Sequence, residues 1–325
     1  MTEPPQTKPI VALVRCCSYD QDQVNEAIDM ILDSLGGLER FIKPQQQVLI
    51  KPNFIAPRPS RHATQTHPAV IIAIARIIKD YGARPFIADS PAWSTAFECA
   101  RVLKLDEPLK YLGVPIRQLD KPVKRKIGNH NIKISSAALE ADVIFNLPKF
   151  KAHQQLVATF AIKNMFGCVP GKQKALWHFR KGKDPRQFCQ MLIDIYRYLA
   201  PAVTLIDGIT AMDGQGPIQG RTRPLGWLIA GIDPIACETV CARLVDMKTD
   251  ELPIVRVAKS INFGCADFDK VRIAGDDFPE QPCTDFIRAN QMPLRFSLPH
   301  IMKSVTKQIL LLLRAKPRDS GQSDY

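Results

Sequence analysis

Lys149, Lys151 and His153 stand two residues apart in the stretch N-L-P-K-F-K-A-H, residues 146–153. On an extended backbone all three face one side. A lysine neutralises phosphate or carboxylate, or acts as a base when buried. A histidine carries protons or ligates metal. Lys163-Asn164 follow, then Gly167, Gly171, Lys172, Lys174 and His178. From 149 to 186 there are nine Lys and Arg and one acid, so this segment holds +8 of the chain's +12. Charge runs are ordinarily solvated faces. Here the charges are interleaved with apolar residues and glycines, which a solvated helix does not need. The pattern marks Lys151 and His153 as candidate catalytic groups, with His67 or His178 as a second proton carrier. Lys149, Lys163, Asn164 and Lys174 become candidate anion ligands.

Other polar groups fall at predicted strand ends. Lys51-Pro52-Asn53 closes one strand, and Thr66-His67-Pro68 opens the next helix. A helix start offers free N–H groups and a positive dipole end, so Lys51 and Asn53 join the anion candidates. The run 212–220 is glycine-rich but lacks the G-K-[ST] ending of a phosphate loop. Its Gly214 and Gly216 either present N–H groups to an anion or permit a tight excursion. Asp207, Asp213 and Asp233 also lie near strand ends, and hard divalent cations take such oxygens. Asp89 is a further candidate ligand, or a helix cap. Asp233 before Pro234 is equally a plain N-cap. Cys237 and Cys241 share a helix face, for soft metal or for packing.

Positioning these groups requires a large core, and 325 residues at 46% hydrophobic supply one. Apolar runs at 10–15, 47–51, 84–88, 114–119, 141–146, 202–207 and 225–231 read as strands. Helical periodicity marks 22–35, 67–81, 94–103, 186–199, 234–245 and 252–262. This alternation predicts an α/β fold. Its mainly parallel sheet has helices on both faces, in two lobes (10–120 and 121–278) or one large domain. A small basic hairpin is inserted around Gly128-Asn129. Residues 1–9 and 316–325 read as disordered, 279–297 as a linker, and 298–315 as an amphipathic helix that docks on protein or lies on an acidic membrane.

Nine cysteines without C-x-x-C spacing encode neither a zinc ribbon nor an iron–sulfur ligand set. The N-terminus has no apolar signal core, and no run reaches the length of a spanning helix. A cytoplasmic protein with reduced thiols is expected.

Seven blocks together resemble the family called domain of unknown function 362: K-P-N (51–53), T-H-P (66–68), D-S-P (89–91), N-L-P-K-F-K-A-H (146–153), K-N-M-F-G (163–167), the run 207–220, and D-P-I-A (233–236). Ala152 stands where the family usually has Thr, and Glu238 where it usually has Asp. The resemblance implies an α/β fold and little settled biochemistry. Many relatives append a cysteine-rich ferredoxin-like segment that this chain lacks, so no cluster carries over.

The reading that follows is an enzyme acting on a small anionic substrate, with a divalent metal as an option and homo-oligomers allowed. Proton abstraction beside a carboxylate and phosphoryl chemistry both fit. One alternative is a redox accessory protein working with a partner's iron–sulfur cluster. The other is a nucleic-acid binder, disfavoured by sparse aromatics and the lack of a recognised motif.

Overall fold

Among the described residues ten strands join in one sheet, and its order runs against chain order. The computed structural model describes residues 8–91, 94–171 and 173–294. The strands are β1 (Ile10–Arg15), β2 (Gln47–Pro52), β3 (Arg84–Asp89), β4 (Ile116–Gln118), β5 (Pro122–Ile127), β6 (His130–Ser135), β7 (Val143–Leu147), β8 (Lys149–His153), β9 (Val157–Thr159), β10 (Val203–Asp213), β11 (Arg221–Gly231) and β12 (Arg272–Gly275). The helices are α1 (Gln21–Ser34), α2 (Pro68–Asp80), α3 (Ala96–Val102), α4 (Asp106–Tyr111), α5 (Ser136–Glu140), α6 (Gln173–Lys181), α7 (Pro185–Leu199), α8 (Pro234–Leu244) and α9 (Pro253–Ser260).

The path is β12-β1-β11-β10-β7-β2-β3-β4, with β8 beside β10 and β9 beside β8. Pairing is parallel from β10 through β7, β2 and β3 to β4. Only β11, flanked by β1 and β10, and the short β9 run antiparallel in this sheet. β1, from the start of the chain, lies between β12 and β11, so strands of residues 10–120 and 121–278 share one sheet. The pair β5–β6 forms the separate basic hairpin.

Side chains alternate across the sheet and supply two cores. Val14, Ile50, Ile87, Phe145 and Leu205 face α1 and α2, with Ile28, Ile31, Ile71 and Ile74 opposite. Leu13, Leu49, Phe86, Ile144 and Ile206 face the other way, toward Phe188, Leu192, Val240 and Ile254 of α7, α8 and α9. Helices therefore cover both faces.

Three expectations change. The strand expected at 202–207 continues to Asp213 and turns back antiparallel through β11, so 214–220 is the loop of a long hairpin. The part of the expected linker within the described residues is docked: Phe286, Ala289 and Leu294 are buried, and Cys283 N donates to Leu244 O at 2.8 Å. The basic stretch after Gly171 contains helix α6, which its high charge concealed. The expected helix 298–315, the tail, residues 1–7 and Lys172 lie outside the described residues.

Candidate functional site

The carboxyl ends of β2, β3 and β7 lie along one edge, where parallel sheets place their ligand sites. Pro148 interrupts the chain there, and β8 resumes along β10, pairing Lys149 with Asp207 and Lys151 with Met212. Phe150 and Ala152 enter the core. Lys149, Lys151 and His153 alternate with them and are buried as well. Asn53, Lys149, Lys151, His153, Lys163 and Asn164 line one cavity of about 30 Å³. A water needs about 10–15 Å³, so this space suits a very small molecule or one end of a larger one.

Two of the lysines are neutralised by carboxylates. Lys149 Nζ lies 2.7 Å from Asp207 Oδ2, and Lys51 Nζ 2.8 Å from Asp89 Oδ2. Asp207 also accepts from Tyr19 Oη at 2.7 Å and His67 N at 2.9 Å. Tyr19 stacks on His67, with ring centroids 3.5 Å apart, and accepts from Lys149 Nζ at 2.7 Å. Asp89 further accepts from Phe54 N and Ser90 N, at 2.8 and 2.6 Å.

Lys151 and Lys163 differ. Lys151 Nζ donates to Asn53 Oδ1 and, at 2.9 Å, to Thr64 O, both neutral acceptors. Burial, then the charges of Lys163 and Lys149, pull its pKa well below the ordinary lysine value. Lys163 is half-buried in the 3-10 turn Ile162–Cys168. Among the described residues it has no carboxylate, hydroxyl or carbonyl partner, and burial lowers its pKa to about 8. Lys174 sits outside the cavity lining. Its Nζ donates to Ser90 O, beside the Lys51–Asp89 pair, and burial holds its pKa at about 8.

A directed amide chain holds Lys151. Asn53 Nδ2 donates to Asn164 Oδ1 at 3.0 Å, and Asn164 Nδ2 to Asn146 Oδ1 at 2.8 Å. Asn146 Nδ2 donates to Ala161 O and Thr204 Oγ1, both at 3.0 Å. Asn164 Nδ2 also reaches Lys51 O at 3.1 Å. Backbone carbonyls only accept, so Lys51 O and Ala161 O orient the amides and oblige Asn53 to show Lys151 an oxygen. Glu238 Oε1 accepts from Ile162 N at 3.0 Å and anchors the turn carrying Lys163 and Asn164. Burial pushes the Glu238 carboxyl up to about 7.

Burial favours the neutral form of the three candidate histidines, His67, His153 and His178. Burial and the charges of Lys163 and Lys151 lower His153 well below its usual value, and its Nδ1 accepts from Gln155 N at 3.0 Å. The proton therefore sits on Nε2. Burial takes His67 to about 4 despite Asp207, and its Nδ1 caps α2 by accepting from Ala69 N at 3.2 Å. His178, at about 4 through burial and Lys163, places Nδ1 3.1 Å from Leu294 O. The structure thus sets His67 in the Tyr19–Asp207 cluster, outside the cavity lining.

The expected cation site on Asp207, Asp213 and Asp233 is corrected. Asp213 accepts from Arg221 Nε at 3.1 Å and Arg223 Nε at 3.3 Å. Asp233 caps α8, accepting from Ile235 N at 2.8 Å, and also accepts from Cys265 N at 2.8 Å. Gly231 pairs with Thr204, so the antiparallel β11 delivers Asp233 to the far end of β10 from Asp213, roughly 30 Å of strand away. Asp207 is paired with Lys149 and Asp89 with Lys51. Among the described residues no group of three or more His, Cys, Asp or Glu is set to hold a metal ion. Cys237 and Cys241 are buried packing residues of α8.

The two loop glycines are also reassigned. Gly214 N donates to Ile287 O at 2.7 Å and Gly216 N to Gly214 O at 2.8 Å, so neither N–H is offered to an anion. Gly216 permits close packing: a Cβ there would lie 2.0 Å from Ala152 O. Sequence reasoning missed Tyr19, which no motif marks. It also missed Asn146, whose signal was an amide inside an otherwise apolar strand.

A family model described as Domain of unknown function (DUF362) matches residues 48–243. The chain belongs to the DUF362 family. It is 32% identical over 316 residues to a thylakoid-associated protein of Synechocystis sp., covering 94% of this chain and 96% of that one. Among solved structures it resembles the lactate racemase apoprotein of Thermoanaerobacterium thermosaccharolyticum, at 13% identity and a TM-score of 0.49. That match covers 76% of this chain, which spans 60% of the other's length. No helix among the described residues is long and apolar enough to cross a membrane.

Proposed function

We propose that this DUF362 protein is an enzyme whose small substrate enters the β8 cavity through an anionic group, a carboxylate or a phosphate. One observation carries the reading. Lys151 and Lys163 line the same cavity, and among the described residues neither has a carboxylate, whereas their neighbours Lys149 and Lys51 do. Burying an uncompensated cation is costly, and a ligand that brings the missing negative charge removes that cost. Lys163 is the expected counter-charge, and His153 Nε2–H a neutral donor in the same lining. Lys149 and Lys151 are buried and Lys163 is half-buried, unlike the exposed stripe with which a nucleic-acid binder tracks phosphates.

Thermal unfolding with phosphate, acetate or pyruvate, against chloride at matched ionic strength, tests this. A free anion at about one hundred times its Kd adds about 2.7 kcal/mol by mass action. The gain should vanish in Lys163→Met. Binding near pH 8 should also take up protons, because the anion raises a lysine that sits at about 8. Equal responses of wild type and variant, or no response to any of the anions, would refute the reading.

A further inference from the structure

We propose that Lys151 is a nucleophile, and that its amine adds to the carbonyl carbon of a short 2-oxo acid whose carboxylate is held by Lys163. This rests on the anion reading above and names the substrate class. The argument begins with hydrogen-bond valence. An ammonium has three N–H donors, and a neutral amine two plus a lone pair. Among the described residues Lys151 has two acceptors, Asn53 Oδ1 and Thr64 O. A neutral amine is thereby satisfied, and its third apex is a lone pair. An ammonium would leave one N–H unmatched in a residue only 3% exposed. The amide chain keeps Asn53 from turning its donor toward the amine, because Asn164 is fixed by Lys51 O.

The surroundings favour the same state. A desolvated lysine beside a second cation is the recognised arrangement for an amine nucleophile. Lys163 is that second cation, and its charge acts on both Lys151 and His153. Lys149 is tied to Asp207 and Tyr19 and is not available for the role. An amine and an ammonium lining one cavity of about 30 Å³ call for a carbonyl and a carboxylate on adjacent carbons.

The chemistry balances without an oxidant or reductant. The Nζ lone pair forms the C–N bond while the carbonyl π pair moves to oxygen. That oxygen takes a proton from nitrogen, giving a carbinolamine. Loss of hydroxide with one proton from solvent releases water and leaves a protonated imine. The imine nitrogen then withdraws electrons from bonds at the former carbonyl carbon.

Reductive trapping decides. The full chain is incubated with pyruvate at pH 8, treated with sodium borohydride, digested, and mapped by mass spectrometry. The peptide carrying Lys151 should gain the mass of pyruvic acid less one oxygen. Labelling should exceed that of exposed Lys43 and Lys79 by at least about tenfold, since an ordinary lysine is almost wholly protonated at this pH. Lys163→Met should lower the adduct by a similar factor. Mapping the wild type needs no variant to fold. If pyruvate stabilises the protein but Lys151 is not labelled above the exposed lysines, the nucleophile is overturned and the anion site stands. If pyruvate neither stabilises nor labels, the nucleophile and its 2-oxo acid fall, and the anion reading falls with them when phosphate and acetate fail as well.

Discussion

Asp207→Asn tests the electrostatics of the site most directly. The carboxylate has three donors: Lys149 Nζ at 2.7 Å, Tyr19 Oη at 2.7 Å and His67 N at 2.9 Å. Both ion-pair side chains are essentially inaccessible, at 1% and 0%. An asparagine cannot replace this acceptor in either orientation. With its NH2 at the Oδ2 position it faces the Lys149 ammonium and the His67 N–H. With its NH2 at Oδ1 it faces Tyr19 Oη, which already accepts from Lys149 Nζ and, at 3.1 Å, from Thr210 N. Removing one member of a buried pair costs about 3–5 kcal/mol, because the other charge is left uncompensated. That is a large share of an ordinary total of about 5–15 kcal/mol. Urea unfolding followed by tryptophan fluorescence reads the loss as a lower midpoint with an unchanged slope. Lys149→Met in the same background should restore part of it, with a coupling of about 2–3 kcal/mol in a double-mutant cycle. A loss below about 1 kcal/mol, or a double variant equal to the sum of the singles, would show that the pair is not the buried contact described.

Glu238 has its carboxyl raised by burial from 4.5 to about 7. Over that window the folded state binds more protons than the unfolded, so its contribution to stability falls as pH rises, by about 3 kcal/mol in all. Glu238→Gln still accepts from Ile162 N and should gain on wild type between pH 5 and 7.5; a pH-independent difference would contradict this. His67 and His178, lowered to about 4, act with the opposite sign up to their ordinary 6.5, so the comparison with the variant isolates Glu238. Gly167→Ala places a Cβ 2.5 Å from Asp89 Oδ1 and 2.6 Å from Lys51 Nζ; it should cost about 1–3 kcal/mol in denaturant unfolding. Gly216→Ala meets the Ala152 carbonyl on β8, between Lys151 and His153, and should abolish anion-dependent stabilisation in the thermal assay.

The parallel part of the sheet was legible because its strands are buried on both faces and read as apolar runs: Val-Leu-Ile in β2, Phe-Ile-Ala in β3, Val-Ile-Phe in β7. The hairpin β5–β6 announced itself through Gly128-Asn129 at its turn. What stayed hidden was direction. β11 carries an apolar half, Leu225 to Gly231, indistinguishable by composition from a parallel neighbour. Its pairing with β10 follows from the hairpin, and the sign of that pairing decides which sheet edge receives Asp233. β8 was hidden differently, since Lys149, Lys151 and His153 look solvent-facing until the cavity behind them is known.

The lysines and the carboxylates were open to interpretation for opposite reasons. A lysine past a strand end is informative by position alone, and six of the polar groups read that way do line one cavity. An aspartate at such a place has two equally ordinary fates, a cation or a lysine, and the choice lies in the partner. Here the partners of Asp207 and Asp89 are the lysines themselves. Once those two pairs are formed, acids and bases in the site no longer match one to one, and the excess falls on Lys151 and Lys163. Sequence counting gave the +8 of segment 149–186, but among the described residues only Lys149, Lys151 and Lys163 of its nine cations line the cavity. Only the geometry separates the lysines that are neutralised from the two in the cavity lining that are not, and it is these two that give the cavity its chemistry.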